Sequence, residues 1–279
     1  MWLPSLFTWL LPFLITDTDP VLMHPVPYAA DTAISAPSGL STYFHQVVND
    51  PEASMGITKG RLGYSQKGNP VDVWYFPGTS NHRALIIGGM HGSELSSIRL
   101  AENLISYLQQ GARPYFSVMI IPSLFPDNAA AAMADADELG SVKNKGRYTN
   151  AKTVDPNRQM PPPGQAFNPK HGIDYHGRQI EPENQFLLSL IQLYKPSRVL
   201  NIHAIRNKEK TGIYADPRTD EKGIALGFET DSLLAISMAW TAKAAGADVH
   251  GNNLINQTPF IIATRVRLQK DANKNEILQ

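Results

Sequence analysis

The alternation of apolar and polar positions changes period several times along the chain. Thr58 to Pro77 alternates and carries turn glycines at Gly60, Gly63 and Gly68, which predicts a hairpin whose second arm is Val71 to Phe76. Ala84 to Ile87 is a short unbroken apolar run of strand type, ended by Gly88-Gly89. From Glu94 onward Leu95, Ile98, Ala101, Leu104, Ile105 and Leu108 recur at helical spacing, with Gly111 as the stop. Val118 to Ile121 predicts another buried strand, ended by Pro122, and Met133 to Lys145 a polar loop or short helix. Glu183 to Tyr194 repeats the helical pattern through Phe186, Leu187, Leu190 and Leu193, and Pro196 prevents its continuation. Arg198 to Ile202 predicts a strand, and Ser232 to Ala245 a helix closed by Gly246. Strands alternating with helices, without an internal repeat, predict an α/β sandwich with a largely parallel sheet.

The ends of the chain read differently. Met1 to Ile15 is strongly apolar but proline-broken and too short for a stable membrane span, which needs roughly 20 residues. It fits a signal h-region better, although no Lys or Arg precedes Lys59, and it favours the periplasm or cell envelope over the cytoplasm. Asp17 to Gly39 reads as linker, so the expected division is 1–39 as apolar segment and linker, 40–258 as the catalytic domain, incomplete at its end, and 259–279 as an atypical tail.

Composition narrows the chemistry. Lys plus Arg and Asp plus Glu both number 25 in 279 residues, which disfavours a nucleic-acid partner. There is no cysteine, so disulfides, thiolate ligands and cysteine nucleophiles are excluded, and any metal must be held by nitrogen and oxygen. The G-x-S-x-G, Walker A, G-x-G-x-x-G and H-E-x-x-H motifs are all missing.

Against that background Gly88-Gly89-Met90-His91-Gly92-Ser93-Glu94 stands out. An imidazole and a carboxylate three residues apart leave a strand end, where α/β sheets place their ligands. Val199-Leu-Asn-Ile-His203-Ala puts a second histidine at the end of another strand, on the same sheet edge if the strands are parallel. Two histidines and one carboxylate, with a fourth position for water, form a catalytic zinc pattern. Taken singly, His91 is also a loop histidine, Glu94 a first-turn acid favoured by the helix dipole, and His203 a hydrogen-bonded strand terminus.

Together, Gly-Gly-Met-His91-Gly-Ser-Glu94, Pro122 to Asp127, Arg147 with Asp155-Pro-Asn157-Arg158, Glu181-Pro-Glu183 and Asn201-Ile-His203-Ala resemble the zinc carboxypeptidase superfamily. The likeness is to its bacterial branch of murein peptide amidases and cell-shape carboxypeptidases and runs from about Lys59 to Asn253. The resemblance implies a three-layer α/β sandwich with a mixed, largely parallel central sheet. It also implies one zinc ion held by His91, Glu94 and His203, with Asp155 behind the first imidazole. Arg147 would stabilise the oxyanion, and Asn157 and Arg158 would bind the free C-terminal carboxylate of a peptide or peptidoglycan-fragment substrate.

One part of the family pattern is missing. The family places its general-base glutamate on a late strand, in a Thr-x-Glu setting, whereas the only glutamates after His203 are Glu209, Glu221, Glu229 and Glu276. Glu229 reads as part of a loop before a helix, and Glu276 lies in a polar ending. The segment from Pro259 does not continue the pattern, and truncation or a shifted frame after about Thr258 would account for both losses. The chain is therefore expected to bind zinc yet hydrolyse poorly. Two further readings stay open: a zinc deacylase of the succinylglutamate desuccinylase or aspartoacylase type, and a catalytically dead zinc- or peptide-binding remnant. His171 and His176, in a Pro/Gly-rich loop, are expected to be solvated or to line a substrate rim, and His24, His45, His82 and His250 have no partner pattern.

Overall fold

A computed structural model describes residues 56–249, except 140, 142, 150–153, 162–165, 169, 171, 206–210, 217, 220–224, 227 and 248, together with the backbone of 263–269. The expectations for 1–39 and for a folded start near Leu40 lie outside these residues. Seven strands form one sheet: β1 (Thr58–Tyr64), β2 (Pro70–Phe76), β3 (Arg83–Ile87), β4 (Ser117–Ile121), β5 (Arg198–Ile205), β6 (Gly212–Asp216) and β9 (Ala263–Gln269). Their order is β1-β2-β4-β3-β5-β9-β6. β7 (Arg218–Thr219) and β8 (Ala225–Leu226) make a small separate pair.

The sheet is mixed in an orderly way. β4, β3, β5 and β9 run parallel at its centre, while β1, β2 and β6 are antiparallel to their neighbours at the two edges. That division follows from the sequence: β3 and β4 are apolar without alternation, as strands covered on both faces must be.

Helices cover both faces. On one side α1 (Leu95–Gln109) and α4 (Phe228–Ala244) bury Leu100, Leu104, Leu108, Ala235 and Met238 against Ile86, Ile120, Leu200 and Ile213. On the other, α3 (Pro182–Tyr194) buries Leu187, Leu190 and Tyr194 against Leu85, Ile87, Met119 and Val199. The short α2 (Pro126–Ala134) completes the set. Because alternate residues of β3 and β4 enter opposite cores, the sheet is the middle of three layers.

The hairpin, β3, α1, β4, α3 and β5 match the predicted elements within a few residues. Two lie outside the predicted elements. Pro126–Ala134 is helical because Pro126 begins its first turn and four consecutive alanines carry high intrinsic propensity, although they draw no amphipathic stripe. Residues 263–269, within the segment read as a tail, form β9 between β5 and β6. Glu229 likewise belongs to the first turn of α4 instead of a loop.

Candidate metal centre

The site is built where β3 and β5 leave the sheet. Parallel pairing sets Ile87 beside Asn201, so the residues following β3 and the last residues of β5 emerge on one edge. The chain then turns at Gly88 and Gly89. Gly89 has φ of 64°, in the left-handed region, and a Cβ on Gly88 would meet the Pro122 carbonyl oxygen at 2.5 Å. Leu124 and Phe125 donate their backbone N–H groups to the Gly88 and Gly89 carbonyls, which ties the exit of β4 to that of β3.

Glu94 occupies the N-cap of α1 but makes no capping hydrogen bond. Its carboxylate faces the imidazoles instead: Oε1 lies 3.1 Å from His91 Nδ1, and Oε2 lies 3.0 Å from His203 Nδ1. Oε2 also accepts the Ala204 backbone N–H at 3.0 Å. The carboxylate is thus committed to the site and caps none of the free N–H groups of its own helix. Ser97 fixes the turn by donating its hydroxyl to the Glu94 carbonyl and accepting the Gly89 N–H.

His91 has a partner on its far side. Its Nε2 is 2.8 Å from Asp155 Oδ1, an oxygen that also accepts the Asn157 backbone N–H at 3.0 Å. A carboxylate on Nε2 selects the tautomer with the proton there, leaving the Nδ1 lone pair aimed at Glu94. Two acceptors 3.1 Å apart in a buried pocket require a cation between them, either a proton or a metal. His91, Glu94 and His203 are all buried, and one ligand atom from each lies within 4.8 Å of the others. The donor set, two imidazole nitrogens and a carboxylate, fits a divalent ion of the zinc type.

The charges agree with that reading. Burial works to raise the Glu94 carboxyl, but the charges and hydrogen bonds of His91 and His203 outweigh it and hold it well below the usual range. Burial works to lower the His91 pKa, yet Glu94 and Asp155 raise it overall. Burial would also lift Asp155, and His91, the Asn157 N–H and Arg147 together bring it down to about 2. Both carboxylates are therefore anionic at neutral pH.

Arg147 stands at the open side of the group. Its Nη1 donates to Glu94 Oε1 at 3.2 Å, and its Nη2 lies 3.7 Å from Asp155 Oδ2. The segment carrying it is fixed by Gly146, whose N–H is accepted by the Asn144 side chain and whose carbonyl accepts the Ser93 N–H. A Cβ on Gly146 would meet the Asn128 carbonyl oxygen at 2.3 Å, and one on Gly92 would meet the Ala129 nitrogen at 2.2 Å. Both glycines let the His91 turn and the Arg147 turn close on α2. Sequence spacing could not reveal Ser97, Asn144 or the Ala204 N–H, since each acts through a contact made only on folding.

Asn157 and Arg158 share a 3-10 turn capped by Asp155, with Asn157 buried and Arg158 exposed. His176 is exposed, as is His82, whose ring lies beside those of Tyr115 and Phe116; His171 lies outside the described residues. Among the glutamates after His203, Glu229 is exposed on α4, and Glu209, Glu221 and Glu276 lie outside the described residues. The strand beside β5 carries no acidic residue: β9 reads Ala-Thr-Arg-Val-Arg-Leu-Gln, with Arg267 in register with His203.

Carboxypeptidase A from Helicoverpa armigera superposes with a TM-score of 0.54 over 83% of this chain and 63% of that one, at 15% identity. The chain has the zinc carboxypeptidase fold. In sequence it is related to murein peptide amidase A of Vibrio campbellii, with 31% identity over 169 residues, 54% of this chain and 59% of that protein. The chain thus spans about three fifths of the relative's length. No family model matches it. Within the zinc carboxypeptidase fold, the edge shared by β3 and β5 is where His91, Glu94 and His203 meet.

Proposed function

We propose that the chain is a zinc-dependent hydrolase that cleaves the amide bond next to a free C-terminal carboxylate in peptides, with peptidoglycan stem peptides as the substrate class. The observation that carries this reading is the convergence of His91, Glu94 and His203 on one point, with Arg147 at its rim. The 31% identity to murein peptide amidase A supports the substrate class.

Zinc, when bound, supplies a Lewis acid for the scissile carbonyl and lowers the pKa of a water to about 7. Positioning and charge stabilisation fall to this chain's own groups. Asp155 holds the Nε2 proton of His91 and keeps Nδ1 free for the metal. Arg147, permanently charged, presents N–H donors where negative charge builds on the carbonyl oxygen. Arg158 offers the planar fork that pairs with a carboxylate through two hydrogen bonds, and Asn157 adds an amide beside it.

The decisive experiment is metal analysis of the purified chain with hydrolysis of three substrates: a peptide with a free C-terminus, the same peptide amidated, and an N-acyl amino acid. One bound zinc and cleavage of the free-acid peptide alone is the expected result. Equal cleavage of the amidated peptide would remove the carboxylate-binding role, and cleavage of the N-acyl amino acid alone would favour a deacylase. A second reading, a zinc-dependent peptide binder with little turnover, is favoured by β9, since Ala263–Gln269 contains no acidic residue to serve as general base. Stoichiometric zinc and peptide binding without hydrolysis would decide for it.

A further inference from the structure

Arg147 does more than face outward. Its Nη1 sits 3.2 Å from Glu94 Oε1, the same oxygen that faces His91 Nδ1 at 3.1 Å. Glu94 Oε2 accepts the Ala204 N–H and faces His203 Nδ1, itself a candidate ligand. A metal ligated by His91 Nδ1 and Glu94 Oε1 shares that oxygen with a guanidinium. Two cations on one buried carboxylate repel each other, and the penalty is steeper in a site screened from water than at the surface. Resting on the metal-centre reading above, we infer that Arg147 is the resident counter-cation of Glu94, and that metal entry displaces it toward the substrate side. Metal loading and presentation of the arginine are then a single event.

The surroundings allow such a move. Arg147 is only partly buried, so its head can shift without unpacking the core. When it leaves Glu94 it keeps Asp155, whose Oδ2 lies 3.7 Å from Nη2, and the Tyr148 ring, 5.8 Å from its guanidinium carbon. Both are on segments with an anchor independent of Glu94: Asp155 by the Asn157 N–H, and the Tyr148 backbone carbonyl by the Asn128 amide. Coupling of this kind is reciprocal. A carboxylate- or carbonyl-bearing ligand that draws Arg147 outward must tighten metal binding by the same factor by which metal tightens the ligand.

The test is the zinc affinity of the metal-stripped full chain, measured by competition with a chelating dye, for the parent, Arg147→Gln and Arg147→Lys. Arg147→Gln is expected to bind zinc about tenfold more tightly than the parent, within the range typical of coupled sites, and Arg147→Lys close to the parent. In 15N-arginine spectra, the side-chain resonance that Arg147→Gln removes should shift and sharpen when zinc is added to the parent. Circular dichroism establishes that each variant is folded. Equal or weaker zinc binding by a folded Arg147→Gln variant, or an arginine resonance indifferent to zinc, overturns the displacement while leaving the metal centre standing. Failure of all three proteins to bind zinc overturns the metal centre itself, and this inference with it.

Discussion

Single side chains at this site are used against their local preference. Glu94 stands at a helix start without capping it, and one oxygen of Asp155 serves both an imidazole and a backbone N–H. Replacing Asp155 with Asn keeps the shape but removes the charge that fixes His91, so Asp155→Asn is expected to weaken zinc binding about 10- to 100-fold, read by dye competition. Glu183 behaves in the opposite sense. It is buried at the start of α3, and among the described residues its Oε2 has no hydrogen-bond partner. Burial, then the nearby charges of Asp127 and Glu181, push its pKa up to about 7. Because the folded state retains this proton while the unfolded chain loses it near pH 4.5, the penalty is absent below that pH, grows toward pH 7 and is complete above. Glu183→Gln should therefore gain on the order of 2–3 kcal/mol in stability at pH 8 relative to its effect at pH 4, measured by urea unfolding. A constant difference across that range would refute the assignment.

At the level of elements, the site depends on three turns meeting. The turn after β3, the exit of β4 into α2 and the Arg147 turn are laced by backbone hydrogen bonds and separated only by glycines. A methyl group at Gly92 would sit 2.2 Å from the Ala129 nitrogen, a clash with backbone that no rotamer relieves. Gly92→Ala is expected to cost more than about 3 kcal/mol and to lower zinc affinity with it, whereas Gly68→Ala, with open space around its Cβ but φ of 81°, should cost only about 1 kcal/mol and leave zinc affinity intact. Equal losses at the two positions would show that the contact with α2 does not govern the site.

For the whole molecule, zinc held at the proposed centre would be a ligand of the folded state only, so binding should add to stability. At a free concentration 100 times Kd the gain is about 2.7 kcal/mol, a shift of roughly 5–10 °C for a domain of this size, seen in thermal melts with and without zinc. The shift should shrink on acidification, because a proton on His91 Nδ1 competes with the metal and its neighbours have already raised that pKa. Sequence by itself determined much of this protein: the runs at Ala84–Ile87 and Val118–Ile121, the helical stripes from Leu95 and Phe186, and the residue types at His91, Glu94 and His203. Those features are local, set by periodicity and by short motifs at strand ends. Tertiary structure alone decided the rest. Parallel pairing of β3 with β5 brought His203 to Glu94 across more than a hundred residues, and the same packing turned Arg147 onto Glu94. It also set β9 between β5 and β6, giving two pairing partners to a segment, Arg265-Val266-Arg267-Leu268-Gln269, that alternates polar and apolar within the expected tail. Contacts between distant segments follow from how the layers close, and no spacing along the chain encodes them.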